Sequence, residues 1–172
     1  YGYSGFLLSK KNYDEAEKII LKADKLINSI LNSEPKNSTA LAFKGSFTGF
    51  KIPINRLKIL QLGNESFRYV NLAYEIDNNN IQALTDRGSA LFFTPKLFGG
   101  NKSEAIKHFE KAISILEKTN NTAYNWKYMN LLTLLARCYD KTDQKKKAAN
   151  TYEKILKLEP DFLWVSKELY PA

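Results

Sequence analysis

Few side chains in this sequence of 172 residues could perform chemistry, and the scarcest are its single histidine, His108, and its single cysteine, Cys138. A nucleophilic cysteine needs a nearby cation or helix start that lowers its thiol pKa, and a base that accepts its proton. The position of Cys138 in a helical pattern indicates a tightly packed side chain, so we interpret it as a packing residue. Helical spacing places His108 towards the solvated side of its helix, and we interpret it as a surface residue.

The remaining candidates for catalysis are carboxylates, and none of their pairs stands out. Adjacent acids such as Asp14 and Glu15 lie at a predicted helix start, where the helix dipole already favours negative charge. One cysteine and one histidine exclude an intrachain disulfide, a zinc ribbon and a multi-histidine metal site. The sequence therefore predicts a protein that is not an enzyme and has no cofactor and no metal.

The stretch from Gly99 to Ser103 has the residue types of a phosphate-binding loop but not their spacing. Asn101 separates Gly100 from Lys102, and no strand is predicted upstream, whereas the phosphate-loop motif places Gly and Lys together after a strand. A chain reversal followed by an asparagine helix cap explains the same residues. We expect Phe92, Phe93, Leu97 and Phe98 to pack this enlarged turn against the helices.

The elements that position these residues are helices, as composition and spacing both indicate. Eight glycines and five prolines are few for this length, and no segment alternates like a half-buried strand. The net charge of +8 comes mostly from lysines interspersed with acids, which is typical of solvated helix faces and predicts no nucleic-acid binding. No apolar run approaches the length of a membrane span.

Several segments share one spacing of large and small residues. Between Met129 and Phe162, the positions of Leu132, Leu135, Ala136, Tyr139, Ala148, Tyr152 and Pro160 follow the pattern of two interlocking helices, about 34 residues in all. Residues 81–119 repeat the pattern with an insertion that contains Pro95 and the Gly99-Gly100 pair. Residues 38–79 repeat it more loosely, with a long insertion at Pro53, around which the first helix must end or bend.

This spacing predicts one domain over residues 1–172. It would contain a truncated first repeat at 1–35, repeats at 38–79, 81–119 and 129–162, and a capping helix at 161–170. Asn12 before Glu15 and Asn101 before Glu104 have the capping-box spacing, which predicts helix starts there. Aromatic residues concentrate near the C-terminus and form either an exposed recognition face or a core seam. We favour the seam, in which the terminal helix with Trp164 covers the last repeat, because the ends of a stacked array must be capped.

The chain resembles the tetratricopeptide-repeat family through these positions, most closely at Met129–Phe162. It is also similar to uncharacterised repeat proteins of Bacteroidetes type, which are often exported, through the segments at 95–101 (Pro-Lys-Leu-Phe-Gly-Gly-Asn) and 164–171 (Trp-Val-Ser-Lys-Glu-Leu-Tyr-Pro). The resemblance implies an all-α fold, a right-handed solenoid of about four antiparallel helix pairs. It also implies a non-catalytic scaffold that binds proteins in a concave groove. An exported location is favoured by the resemblance, with the cytoplasm as the alternative.

The first helix of each pair would line that groove. If Leu132, Leu135 and Ala136 point inward, then the residues at intervening positions face a partner: Asn130, Thr133, Arg137 and Lys141, with Gln82, Thr85, Ser89 and Phe93 upstream, and Phe50 in the second repeat. Arg137 would hold a carboxylate of an extended peptide and the rings its apolar side chains. Alternatively, Phe50 and Phe93 pack under the two insertions.

A second functional class stays open at this point. The insertions at Pro53 and Gly99 could wall off a pocket, which would make the chain a small-ligand-binding or transport accessory protein. An apolar N-terminal edge formed by Tyr1, Tyr3, Phe6 and Leu7 could also support self-association into a homo-oligomer.

Overall fold

The structure, a computed structural model, describes residues 1–171. Within that range the chain is helical and contains no strand, which confirms the predicted all-α class. Two 3-10 turns, Arg56–Lys58 and Lys96–Phe98, and a π-helical segment, Trp164–Leu169, complete the elements. The helices are α1 (Gly2–Ser9), α2 (Tyr13–Ser33), α3 (Ser38–Phe50), α4 (Ile59–Ile76), α5 (Ile81–Phe93), α6 (Lys102–Lys118), α7 (Trp126–Lys141) and α8 (Lys145–Leu158).

Asparagine side chains begin several of these helices. The Oδ1 atom of Asn12 accepts a hydrogen bond from the Glu15 backbone N–H, and that of Asn101 accepts one from the Glu104 N–H at 3.1 Å. Both caps satisfy an amide that has no partner within the helix. The helix starts predicted at Asn12 and Asn101 are therefore confirmed.

The chain divides into two compact units, and the first comprises Tyr1–Ala90. Within it α2, α3 and α4 pack in antiparallel order, and α3 meets α4 closely at Gly45. The Ser66 hydroxyl donates to the Gly45 carbonyl at 2.8 Å, and the Ser38 hydroxyl donates to the Ala73 carbonyl at 2.9 Å. As predicted from Pro53, the first helix of this pair ends before the insertion.

The carboxylate of Asp24 links α2 to α3 through ion pairs. Asp24 is buried and receives hydrogen bonds from the ammonium groups of Lys44, at 3.1 Å, and Lys51. Burial opposes ionisation of this carboxyl, but the hydrogen bonds from Lys51 and Lys44 outweigh it, so the pKa of Asp24 lies below its ordinary value. The carboxylate is therefore ionised at neutral pH.

The second unit begins at Leu91. Its helices α6, α7 and α8 are antiparallel, with buried Leu132, Leu135 and Ala136 on α7 as expected from the repeat spacing. Tyrosine hydroxyls link neighbouring helices by donating to carboxylates at 2.6 to 3.0 Å. These pairs are Tyr128 with Glu117, Tyr139 with Glu110, and Tyr152 with Asp140.

The insertion before α6 reverses the chain as predicted, but it does not pack as predicted. Gly99 has φ of +94°, a conformation that favours glycine, and a Cβ on Gly100 would lie 1.8 Å from the Thr94 carbonyl oxygen. Phe92 is buried, whereas Phe93, Leu97 and Phe98 are exposed. The packing predicted for these three is therefore wrong, because only the last turn of α5 brings a ring to the core.

One further prediction about a single residue is wrong. His108 is buried, not at the surface, because the buried face of α6 also includes Ala105 and Ala112, three and four residues away. The terminal segment covers the last repeat as predicted, since the Trp164 ring contacts Arg137 of α7 and the Tyr170 ring stacks on that of Tyr152 in α8. Trp164 is partly exposed, and the buried residue of the segment is Val165.

The single domain predicted over 1–172 stays a prediction, and Ala172 lies outside the described residues. The helices α3 and α4 fall within the predicted repeat at 38–79, and α7 and α8 fall largely within that at 129–162. Within residues 1–171, none of the helices combines the length and the apolar character needed to cross a bilayer.

Candidate functional site: the surface around Arg137

Four of the predicted contact residues lie along α7, and the structure separates them by burial. Asn130 and Arg137 are half-buried, and Lys141 is exposed. Thr133 is buried, and its hydroxyl donates to the Met129 carbonyl at 2.8 Å, within the same helix. The side chain of Thr133 therefore presents no surface to a partner, whereas the other three do.

Arg137 lies among aromatic rings of the second unit. Its guanidinium carbon is 5.4 Å from the ring centroid of Phe92, 5.5 Å from that of Phe93 and 5.7 Å from that of Trp164. We call these four residues the Arg137 cluster. Phe93 is 60% exposed, so the cluster is open to solvent on the side of this ring. The structure thus brings Arg137 and Phe93 together, as one predicted surface requires.

The Arg137 guanidinium is held by cation–π contacts with aromatic rings. Within residues 1–171, none of the salt bridges involves Arg137. Each cation–π contact contributes about 0.5–1 kcal/mol at an exposed site and also restricts where the guanidinium can lie. A guanidinium has five N–H donors in a planar fork that matches a carboxylate. The cluster is therefore chemically suited to an incoming carboxylate flanked by an apolar group.

The predicted contact residues of α5 before Phe93 belong to the first unit and differ in exposure. Gln82 is buried, and its amide donates to the Asp86 carboxylate at 2.9 Å. The Thr85 hydroxyl donates to a backbone carbonyl of its own helix at 2.6 Å, and Ser89 is half-buried. Gln82 therefore presents no side-chain surface, and Thr85 and Ser89 present a limited one.

Phe50 has a packing role in the first unit. Its ring centroid lies 5.4 Å from that of Tyr1 and 5.7 Å from that of Phe47, and it packs against the buried cluster that includes Leu7 and Ile20. Phe50 thus behaves as the alternative predicted from the sequence, a ring packed near its insertion, while Phe93 does not.

Lys141 lies at a separate basic depression of the second unit. This depression has a volume of about 500 Å³, and Lys96, Lys102 and Lys141 line it beside Asn101, the cap of α6. Its lysines are at the surface or half-buried, and the element before the turn is a helix, not the strand that a phosphate loop requires.

The residues that could catalyse a reaction are placed in packing positions. Cys138 is fully buried, as predicted, and burial raises the pKa of its thiol to about 12, although Arg137 and Lys102 act in the opposite direction. The Nε2 atom of His108 lies 3.6 Å from a carboxylate oxygen of Glu104. Across residues 1–171 no group of three or more His, Cys, Asp or Glu side chains is arranged to hold a metal ion.

Sequence reasoning missed Trp164 as a member of the site. Its place in the segment 164–171 was read as a cap for the last repeat, and the structure adds that its ring also contacts the Arg137 guanidinium. Its separation from Arg137 along the chain hid this contact. The available signal was the residue type, since Trp and Arg are enriched where proteins bind.

Comparison with known proteins bears on the fold and on one repeat. Residues 130–162 match the family model described as "Tetratricopeptide repeat". Two solved structures, each titled as a crystal structure of MamA, share the fold at 21% identity over 95% of this chain. The first is covered over 78% of its length with a TM-score of 0.57, and the second over 73% with a TM-score of 0.55. The search of curated proteins found no match.

At 21% identity the two structures show similarity of fold alone, and the family-model match concerns one repeat, residues 130–162. The match at 130–162 lies within the segment Met129–Phe162, where the spacing predicted a repeat. The repeat predicted at Met129–Phe162 is thus confirmed as a match to one tetratricopeptide repeat, and the predicted helical fold is shared with the two solved structures.

Proposed function

We propose that the chain is a protein-interaction scaffold in which the Arg137 cluster binds an extended segment of a partner protein. The family supports the general role, since tetratricopeptide repeats typically bind proteins and lack chemistry of their own. The observation that carries the finer proposal is the Arg137 guanidinium held by three rings without an acidic partner in residues 1–171.

The chemistry of the cluster specifies the segment it would bind. A carboxylate, from Asp, Glu or a chain terminus, pairs with the guanidinium, and an adjacent apolar side chain packs on Phe93 and Trp164. Asn130, half-buried on the same helix, supplies an amide for the segment's backbone. Lys141 stays a proposed outer contact on the same helix, and buried Thr133 would support the surface from within. Thr85, Ser89 and Gln82 lie in the first unit, and their role as contact residues stays a prediction from the sequence.

The alternative, a small-ligand pocket walled by the insertions, has less support. The Phe50 ring packs against the rings of Tyr1 and Phe47. Leu97 in the second insertion is exposed and does not enclose a cavity. A drug-sized ligand requires a concave and mostly apolar cavity. The depression at the second insertion is instead lined by lysines and polar groups.

Selection from a random peptide library displayed on phage tests the proposal. We expect the protein to enrich peptides that carry a carboxylate beside an apolar residue. Substitution Arg137→Gln should weaken the selected peptides by about 10- to 100-fold, the loss expected when a charge-assisted hydrogen bond disappears. Phe93→Ala should weaken them as well, because the exposed ring would no longer contact the apolar side chain.

Arg68→Gln is the matched control. Arg68 also lies over an aromatic ring, with its guanidinium carbon 4.5 Å from the ring centroid of Tyr69, but it belongs to the first unit. Its peptide affinity should equal that of the wild type. Circular dichroism and thermal unfolding would establish that each variant is folded. Equal peptide affinity in the wild type and in folded Arg137→Gln would refute the assignment of this surface.

A further inference from the structure

The insertion between α3 and α4 exposes aliphatic side chains that the fold does not use. Leu57 is 99% exposed, Leu60 is 62% exposed and Ile59 is 52% exposed. We call these three residues the aliphatic tip. Single exposed leucines are common on protein surfaces, but three large aliphatic residues within four positions of one turn form a contiguous apolar patch. Such a patch indicates a binding surface.

The charges beside the aliphatic tip are all positive over a long stretch of sequence. Between Glu34 and Glu65 the chain has no acidic residue and five cations: Lys36, Lys44, Lys51, Arg56 and Lys58. Lys44 and Lys51 are paired with Asp24. In the described part of the chain Arg56 and Lys58 form no salt bridge, and they flank Leu57 directly. The turn thus combines an apolar tip with two cations outside any salt bridge, and the acid beside it is Glu17, which lines the same depression as Lys58.

We propose that this turn binds the surface of a lipid bilayer that contains anionic lipid. Leu57, Ile59 and Leu60 enter the boundary between headgroups and acyl chains, and Arg56 and Lys58 remain at the level of the headgroups. An anionic bilayer has negatively charged headgroups at its surface and apolar chains just beneath them. The cations of this turn match the headgroups, and its aliphatic side chains match the apolar chains. Leucine is under-represented among the residues that dominate binding between proteins, and the 56–60 segment relies on leucine and isoleucine.

The length of the aliphatic tip also fits shallow insertion. Residues 56–58 form a single 3-10 turn, and α4 begins at Ile59, so the leucines lie at the start of a helix whose later residues Leu62, Ser66 and Val70 face the protein core. The helix therefore stays attached to the first unit while only its first residues contact lipid. The proposed contact is peripheral and independent of the Arg137 cluster.

Co-sedimentation of the full chain with vesicles tests this proposal. We compare vesicles of phosphatidylcholine alone with vesicles of one part phosphatidylglycerol to two parts phosphatidylcholine. We expect binding to the mixed vesicles only. Arg56→Gln with Lys58→Gln should lower the partition coefficient by about 25-fold, since each cation near an anionic surface contributes about fivefold. Leu57→Gln with Leu60→Gln should lower it by about tenfold or more.

The matched control is Lys25→Gln with Leu26→Gln on α2, which removes one cation and one leucine that is likewise 62% exposed. Glu17, Ile20 and Leu21 of α2 line a depression that the insertion also lines, and Leu26, five residues after Leu21, lies on a different side of that helix. Partitioning of this variant should equal that of the wild type. An equal loss in the control and in the tip variants would refute a specific role for the turn.

Insertion itself is measured with a polarity-sensitive dye at position 57. Leu57→Cys provides the attachment point, because native Cys138 is buried. We expect the dye emission to shift to the blue on mixed vesicles and a dye on Leu26→Cys not to shift. Failure of the wild type to bind mixed vesicles, or binding without a shift at position 57, would overturn the proposal and leave a protein as the class of partner for this turn.

Discussion

At the scale of single residues, burial decides what each potentially reactive group can do. Cys138 and His108 both lie inside the second unit, so neither is presented to a substrate in solution. The sequence interpretation of Cys138 as a packing residue is confirmed, because its place in the repeat pattern is a tightly packed one. That of His108 is wrong, because helical spacing alone did not show how wide the buried face of α6 is.

The thiol of Cys138 provides a test at this scale. Burial raises its pKa to about 12, so at pH 8 only about one thiol in ten thousand is ionised, and the thiolate is the reactive species. We expect a disulfide reagent to label the native protein at least a thousandfold more slowly than the unfolded protein. Leu57→Cys, placed at an exposed position, should label at once. Rapid labelling of native Cys138 would contradict its burial.

At the scale of secondary-structure elements, the spacing between α3 and α4 depends on one small residue. A Cβ added at Gly45 would lie 2.5 Å from Val70 Cγ1 and 3.0 Å from the Ser66 carbonyl oxygen. Val70 is fully buried and β-branched, so it has little freedom to move away. The close approach of the two helices therefore requires glycine at this position.

Two alanine substitutions separate this effect from helix propensity. Gly45→Ala should lower the free energy of unfolding by about 1–3 kcal/mol, because overpacking forces the helices apart. Gly63→Ala on α4, where an added Cβ meets nothing within 4 Å, should raise it by about 1 kcal/mol. Denaturant unfolding of both variants gives the comparison. An unchanged stability in Gly45→Ala would show that α3 and α4 tolerate a wider spacing.

The residues at which helices begin and end were the feature of the secondary structure best predicted from the sequence. The caps at Asn12 and Asn101 and the helix end before Pro53 depend on residues within one turn of each other. The packing of Leu97 and Phe98 was not predicted correctly, because whether a loop side chain meets the core depends on the path of the chain between two helices.

At the scale of the whole molecule, the excess of positive charge is spread over both units. Residues 1–90 contain 12 Lys and Arg against 9 acids, and residues 91–172 contain 14 against 9. Many of these cations alternate with acids along helices, as at Lys107 and Glu104, which form an ion pair at 3.3 Å. The charge therefore favours general attraction to anions and not a dense stripe for nucleic acid.

This distribution predicts weak and salt-sensitive binding to nucleic acid. We expect a short labelled DNA duplex to bind at low salt and to be released near physiological salt, because few phosphates are neutralised at once and counterion release is small. Fluorescence anisotropy at several salt concentrations provides the measurement. Binding with a dissociation constant tighter than about 1 μM at physiological salt would contradict the prediction that nucleic acid is not a partner.

The sequence by itself determined the all-helical class, the repeat at 129–162 and several helix starts. These features are encoded by residues within one repeat, where the spacing of large and small side chains and the position of asparagine caps act over a few turns. Such signals are local, so they can be read without knowing how distant segments meet.

Only the tertiary structure decided the composition of the candidate sites. The contact of Trp164 with Arg137 joins residues 27 positions apart, and the exposure of Leu57 depends on helices that leave it uncovered. Burial of Thr133 and Gln82 likewise follows from neighbours that are distant in sequence. Solvent exposure is a property of the packed assembly of helices, and for that reason the periodicity of a single helix did not reveal which of its polar residues are exposed.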